Sequence, residues 1–174
     1  MDVKSRNYLT YPLFWLLCIS PLFGQVKNTT QSFTVSGKVK NVRTFTTAGL
    51  RKWKTISLGE INTSCSPRNK ETTKSVKAVV LKQVLDSVQF DYDSPKELLS
   101  YYFKLVSADG YTLVFSFSEI YNTETGNKLF LVVEKDGQPI EDIQNSLLVL
   151  STGDIKIGSR NMKWLEKIVV CKAD

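Results

Sequence analysis

Two Asp-Gly pairs, each set between alternating apolar and polar residues, constrain the fold of this chain most strongly. Residues 101–117 read YYFKLVSADGYTLVFSF, with arms on either side of Asp109-Gly110, and residues 127–140 repeat the pattern around Asp136-Gly137. An Asp-Gly pair in this setting is the strongest short-range signal for a β-hairpin. Because a hairpin joins antiparallel strands, the sequence predicts sheets that are largely antiparallel.

Further strands and a few short helices complete the predicted pattern. Strands are expected at residues 32–42, 55–61, 146–152 and 163–170. A short helix is expected within 46–55, an amphipathic helix over 80–88, and a helical turn started by a capping box at 94–97. Residues 62–74 are polar, contain proline and form the longest predicted loop. The predicted fold class is α+β, with mixed, largely antiparallel sheets and a few short helices in a single domain over 26–174.

The N-terminus has the composition of a secretory signal peptide. Lys4 and Arg6 precede an apolar stretch at 8–24, which Pro12 and Pro21 interrupt, and polar residues follow. We interpret residues 1–25 as a cleaved signal, with an uncleaved N-terminal anchor as the alternative. The interpretation predicts a periplasmic or secreted protein with no stable membrane span after cleavage.

Charge and residue usage narrow the function classes. The formal charge of +6 comes from 23 basic and 17 acidic residues spread along the chain, so nucleic acid is not an expected partner. Histidine is absent, which argues against a zinc enzyme or a Ser-His-Asp hydrolase. Beyond the signal, the chain has two cysteines, Cys65 and Cys171, and an oxidising compartment would favour a disulfide between them.

The segment GSRNMKWLEKIVV at residues 158–170 is the main candidate for function. Arg160, Lys163 and Lys167 accompany a glycine just before the last predicted strand. Backbone N–H groups at a glycine turn, together with arginine and lysine, form an anion site. The alternative is a solvated lead-in to the strand, which is the usual role of such charges.

Several motifs together resemble the sulfite-oxidase-like, molybdopterin-binding oxidoreductase domain. They are VSGKV at 35–39, the loop containing Cys65, ADGY at 108–111, KDGQPI at 135–140, and the GSRNMKWL run from 158. The resemblance implies that fold, a molybdopterin cofactor and Cys65 as the metal ligand. It also implies a set of cofactor-binding residues, namely Arg68, Asn69, Gly158, Ser159, Arg160, Asn161 and Lys163.

The chain departs from that family in ways that leave its function open. It has no histidine, its loop after Cys65 is short, and its signal is typical of export in the unfolded state, which a buried cofactor would not survive. One hypothesis is an exported molybdopterin-type oxidoreductase with a redox partner protein. The alternative is a non-catalytic envelope module that binds a small anion or a protein partner. A third is a purely structural domain with a Cys65–Cys171 disulfide.

Overall fold

The computed structural model describes residues 30–66, 68, 70–143, 147–156 and 158–174, so the predicted signal peptide lies outside the described residues. The first sheet has five strands, in the order β2 (Arg43–Thr46), β1 (Ser32–Gly37), β12 (Leu165–Lys172), β7 (Tyr101–Ser107) and β8 (Thr112–Ser116). Strands β1 and β12 are parallel, and the other neighbours in this sheet are antiparallel.

The second sheet is antiparallel and is centred on β9 (Leu129–Lys135). Its strand order is β10 (Gln138–Pro139), β9, β6 (Val76–Val80) and β3 (Ile56–Ser57), and β11 (Val149–Ser151) also pairs with β9. A separate two-stranded hairpin consists of β4 (Ile61–Asn62) and β5 (Thr72–Thr73). The predicted fold class is therefore confirmed.

The helices are short and connect the strands. They are α1 (Thr47–Leu50), α2 (Leu81–Asp86), α3 (Phe117–Tyr121) and α4 (Glu124–Asn127), with 3-10 helices at Pro95–Ser100 and Ile140–Asp142. Thr46 caps α1 by accepting a hydrogen bond from the Gly49 N–H, as the sequence predicts. Ser116 and Glu119 form a capping box at the start of α3, which gives Glu119 a structural role.

Both predicted Asp-Gly hairpins are confirmed. Strands β7 and β8 pair up to Val106 opposite Thr112, around the turn that contains Asp109-Gly110. In the second hairpin, Asp136 and Gly137 both adopt positive φ values, of 50° and 81°. Two consecutive residues with positive φ are required by a type I′ turn, which matches the twist of the flanking strands.

Two local predictions are corrected by the structure. The predicted strand at 55–61 is divided between β3 and β4, because Gly59 bends the chain with a φ of 63°. The capping box at 94–97 does not form: the Ser94 side chain caps nothing, and Glu97 accepts a hydrogen bond from the backbone of Asp93. In addition, strand β6 was not predicted. Its apolar residues continue directly into α2, so in the sequence they could equally belong to the first turn of that helix.

Strand β9 separates the two hydrophobic cores of the molecule. Leu129, Leu131 and Val133 face the larger core between the sheets, whereas Phe130 and Val132 face a smaller core on the other side. Burial on both faces explains the unbroken apolar run of this strand. Within the described residues, no helix is long and apolar enough to cross a membrane.

Candidate functional site

The loop that carries Cys65 is closed at its base by the β4–β5 hairpin. The Asn62 side-chain Oδ1 accepts hydrogen bonds from the backbone N–H groups of Ser64 at 3.0 Å and Glu71 at 3.1 Å, which lie at opposite ends of the loop. The buried hydroxyls of Thr63 and Thr73 are 2.9 Å apart beneath it. These contacts tie the ends of the loop together, so Cys65 is presented from a restrained segment.

The segment that begins at Gly158 packs directly against this loop. Gly158 has a φ of 89°, and a Cβ atom there would lie 2.9 Å from the Ser64 carbonyl oxygen, so a side chain would not fit. The Asn161 amide donates to the same Ser64 oxygen at 2.7 Å, and its Oδ1 accepts from the Ser151 backbone N–H at 2.9 Å. Asn161 is 2% exposed, so this predicted cofactor-binding side chain holds the loop against β11.

Cys65 and the segment before β12 meet at a cleft of about 280 Å³. Its lining residues are Cys65, Ser107, Asp109, Tyr111, Asn161, Met162, Lys163 and Trp164. The structure therefore places Cys65, the predicted metal ligand, beside part of the segment predicted to bind the cofactor. The backbones of the Cys65 loop and of the segment from Gly158 pack directly against each other. The charged side chains of that segment point in different directions.

The chemistry of this cleft disfavours a thiolate at neutral pH. Burial of the sulfur raises the pKa of Cys65 to about 11, although the Lys163 charge and its backbone N–H act in the opposite direction. Cys65 is exposed as a residue, so the cleft covers only part of its side chain. The carboxylates of Glu71 and Asp109 add to the increase. The thiol is thus expected to stay protonated and to be a poor nucleophile.

Lys163 lowers the pKa of Cys65 through its charge, and it also forms an ion pair with Glu71. Its Nζ lies 3.6 Å from Glu71 Oε2, while the other oxygen of Glu71 is bound by Lys135 at 2.6 Å. One carboxylate therefore lies between two lysines. This arrangement leaves Lys163 partly neutralised at the edge of the Cys65 cleft.

Arg160 is fully engaged within the protein. Its guanidinium binds both oxygens of Asp154 at 2.6–3.1 Å and Glu119 at 3.0 Å, and it lies 4.5 Å from the Phe115 ring centroid. Hydrogen bonding to Arg160 holds the pKa of Asp154 below its usual value. Burial opposes ionisation of Glu119, but hydrogen bonds from the Ser116 backbone and Arg160 lower its pKa overall. An arginine with two carboxylate partners has little capacity left for a ligand.

A second cleft, with a different charge, lies beside the same loop. It has a volume of about 840 Å³ and is lined by Glu60, Ile61, Asn62, Arg68, Lys70, Thr72, Ile155 and Lys156. Within the described residues, Arg68, Lys70 and Lys156 form no side-chain ion pair, and Glu60 is the one carboxylate among the lining residues. We call this the basic cleft.

Sequence reasoning located only part of the basic cleft. Arg68, which the resemblance implied as a cofactor-binding residue, lines this cleft, whereas Lys70 and Lys156 were missed. Lys70 belongs to the long polar loop predicted at 62–74, so a count of basic residues across that loop would have included it. Lys156 lies 86 positions away in the chain, and no sequence pattern joins the two. Asn69 lies outside the described residues.

The structure contradicts the disulfide hypothesis. Both cysteines are free. Cys171 pairs with Tyr102 near the end of β12, whereas Cys65 contacts Lys163, just before that strand begins at Leu165. The extended chain from Leu165 to Cys171, six residue steps, spans about 20 Å. A disulfide requires Cα atoms within about 7 Å, so the fold holds the two cysteines too far apart.

Comparisons with known proteins give a likeness of fold. No family model matches the chain, and no curated protein sequence matches it significantly. Among solved structures, the chain is similar to the sulfane dehydrogenase SoxCD from Paracoccus pantotrophus, with a TM-score of 0.55 and 12% identity. The match covers 82% of this chain and 38% of that one. At this identity the likeness concerns the fold alone, which is distantly similar to that of a molybdenum oxidoreductase.

The residues of the Cys65 cleft do not fit the molybdopterin cofactor that the family resemblance implies. A cofactor with an anionic end needs cations or free donors in the cleft that holds it. Here Arg160 and Asn161 are bonded to protein groups, Lys163 faces Glu71, and Asp109 brings a negative charge into the cleft. Among the described residues, no group of three or more His, Cys, Asp or Glu side chains could hold a metal.

Proposed function

We propose that this protein is an exported, non-catalytic module that binds a small polyanion on a fold shared with molybdenum oxidoreductases. The observation that carries the proposal is the basic cleft, where Arg68, Lys70 and Lys156 converge without ion-pair partners among the described residues. Elsewhere near the Cys65 loop, Arg160 and Lys163 are already matched to carboxylates. Because its cations are unpaired while Arg160 and Lys163 are not, the basic cleft is the favoured place for an anionic ligand to bind.

The arrangement of the cleft favours a ligand with more than one negative charge. Arg68 and Lys70 come from the Cys65 loop, and Lys156 comes from the connection between β11 and β12. Arginine offers a planar pair of donors and lysine a point charge, a combination suited to phosphate or sulfate groups. Charges from two separate segments contact one ligand best when it carries two anionic groups, as pyrophosphate does.

The proposal assigns no catalytic residue. A thiol whose pKa is raised to about 11 is weakly nucleophilic, and the chain has no histidine to act as a general base. Asp154 and Glu119, two carboxylates that lie close together, are both bound by Arg160. A molybdopterin-type oxidoreductase is the competing hypothesis, since the fold is compatible with it. Metal analysis of protein purified from its native host separates the two, because stoichiometric molybdenum would refute the non-catalytic proposal.

Calorimetric titration with pyrophosphate tests the binding proposal. We compare the wild type with a Lys70→Ala, Lys156→Ala double variant. A Lys104→Ala, Lys167→Ala double variant serves as the matched control, since it removes the same charge from exposed positions on the first sheet. At about 1 kcal/mol per lost cation, the cleft variant should bind about 25-fold more weakly. Equal weakening in both double variants, or no binding by the wild type, would overturn the proposal.

A further inference from the structure

An apolar side chain stands at the rim of the basic cleft with no contact to the rest of the fold. Ile155 lines this cleft and has a relative exposure of 103%, higher than that of any other large apolar residue described. The next most exposed, Val42, reaches 66%. A single exposed apolar residue is ordinary on a protein surface. Its position beside three unpaired cations is what requires an explanation.

The segment around Ile155 is anchored on both sides. Asp154, immediately before it, is bound by Arg160 through two oxygens, and the Lys156 carbonyl oxygen accepts a hydrogen bond from the Ser159 N–H at 3.1 Å. Ile155 is therefore held outward by a structured turn. The same ion pair neutralises Asp154, which would otherwise repel an anionic surface next to Ile155.

An apolar projection beside clustered cations is complementary to the surface of an anionic phospholipid bilayer. Cations near such a surface bind lipid phosphates, and an adjacent apolar side chain enters the boundary between headgroups and acyl chains. A dissolved anion would use Arg68, Lys70 and Lys156, but it would give Ile155 no role. Ile61, partly buried in the same cleft, extends the apolar part of this surface.

We propose that the basic cleft and Ile155 together dock the protein on anionic phospholipid, with lipid phosphate as the anion bound. This inference rests on the proposed function, because it names the source of the anion. The contact is peripheral: cations bind headgroup phosphates, and one side chain enters the interface. Glu60, the carboxylate of the cleft, weakens this attraction and is outnumbered by the three cations.

Vesicle co-sedimentation tests the inference. The full chain is mixed with vesicles of phosphatidylcholine alone, or of phosphatidylcholine with phosphatidylglycerol. We expect it to sediment with the anionic vesicles only, and the Ile155→Asn variant to bind them about tenfold more weakly with unchanged pyrophosphate affinity. Val42→Asn is the matched control, since it removes an exposed apolar side chain outside the cleft. All variants share the same N-terminal sequence, so its contribution cancels.

The outcomes separate this inference from the proposed function. Binding of pyrophosphate without binding of anionic vesicles would refute the membrane inference and leave the proposed function standing. Equal vesicle affinity in wild type and Ile155→Asn, or equal loss in Ile155→Asn and Val42→Asn, would also refute it. Failure to bind either pyrophosphate or vesicles would overturn both. Ile155 makes no packing contact, so circular dichroism should show an unchanged fold in the Ile155→Asn variant.

Discussion

Replacing Arg160 with alanine distinguishes a structural arginine from a ligand-binding one. The side chain is bound to Asp154 and Glu119 and rests on the Phe115 ring, so its loss should destabilise the fold whether or not a ligand is present. The Asp154 side chain is 10% exposed and would remain as a mostly buried carboxylate without a partner. An arginine reserved for a ligand would instead be removed at little cost to stability.

The magnitude follows from the three contacts. Loss of the charged hydrogen bonds to Asp154 costs about 1.5–3 kcal/mol. The more exposed pair with Glu119 contributes about 0.2–1 kcal/mol, and the contact with the Phe115 ring about 0.5–1 kcal/mol. The sum is about 3 kcal/mol, which lowers the melting temperature by about 6–12 °C in a domain of this size.

Urea denaturation measures the effect, and pH dependence tests its cause. Arg160 lowers the pKa of Asp154 below its unfolded value of about 3.9, so this stabilisation is fully present above that pH. It is lost as the pH falls through the lower folded pKa, and the difference between wild type and Arg160→Ala should narrow there. Lys77→Ala, which removes one exposed pair with Glu134, is the control and should cost less than about 1 kcal/mol.

A double-mutant cycle completes the test. Arg160→Ala and Asp154→Ala should show a coupling of at least about 1 kcal/mol, because the two side chains form several direct hydrogen bonds. If Arg160→Ala were as stable as the wild type at neutral pH, or if the two changes were additive, the structural assignment of Arg160 would be wrong.

The remaining predictions concern the contact between the Cys65 loop and the segment from Gly158. In thermal unfolding, Gly158→Ala should lower the free energy of unfolding by about 1–3 kcal/mol more than Gly110→Ala. Both glycines have φ near 90°, but only at Gly158 would a Cβ atom meet a backbone oxygen at 2.9 Å. Equal losses of stability would exclude this close approach. Alkylation of Cys65 by iodoacetamide should rise with pH to an apparent pKa of about 11, and Lys163→Met should raise that pKa further, since the Lys163 charge lowers it. An apparent pKa near the ordinary thiol value would refute the burial of the sulfur.

The sequence predicted the elements whose signals are local. The Asp-Gly hairpins depend on turn residues with positive φ and on alternating arms, and the apolar face of α2 depends on the spacing of Leu81, Val84 and Leu85. The 158–170 segment and Cys65 were both singled out from the sequence, but their direct packing was not predicted. Strand β6 was missed, because a short buried run has no periodicity that separates a strand from a helix.

The partners of the charged residues were not predictable in the same way. Arg160, six positions after Asp154, also reaches Glu119, which is 41 positions away, and the sequence gives no sign of that contact. The sequence likewise gives no sign that Lys163 and Lys135 both bind Glu71, because all three residues are far apart in the chain. An isolated basic residue has the same appearance in a sequence whether it is free or paired.

The chain by itself determined its Asp-Gly hairpins, their turns and the positions of its basic residues, because these depend on neighbours within a few residues. Tertiary structure decided which cations remain free. Packing of the two sheets places Arg160 between carboxylates and leaves Arg68, Lys70 and Lys156 around one cleft. Electrostatic attraction falls with distance in space rather than along the chain, so only the folded arrangement could identify the side chains available to a ligand.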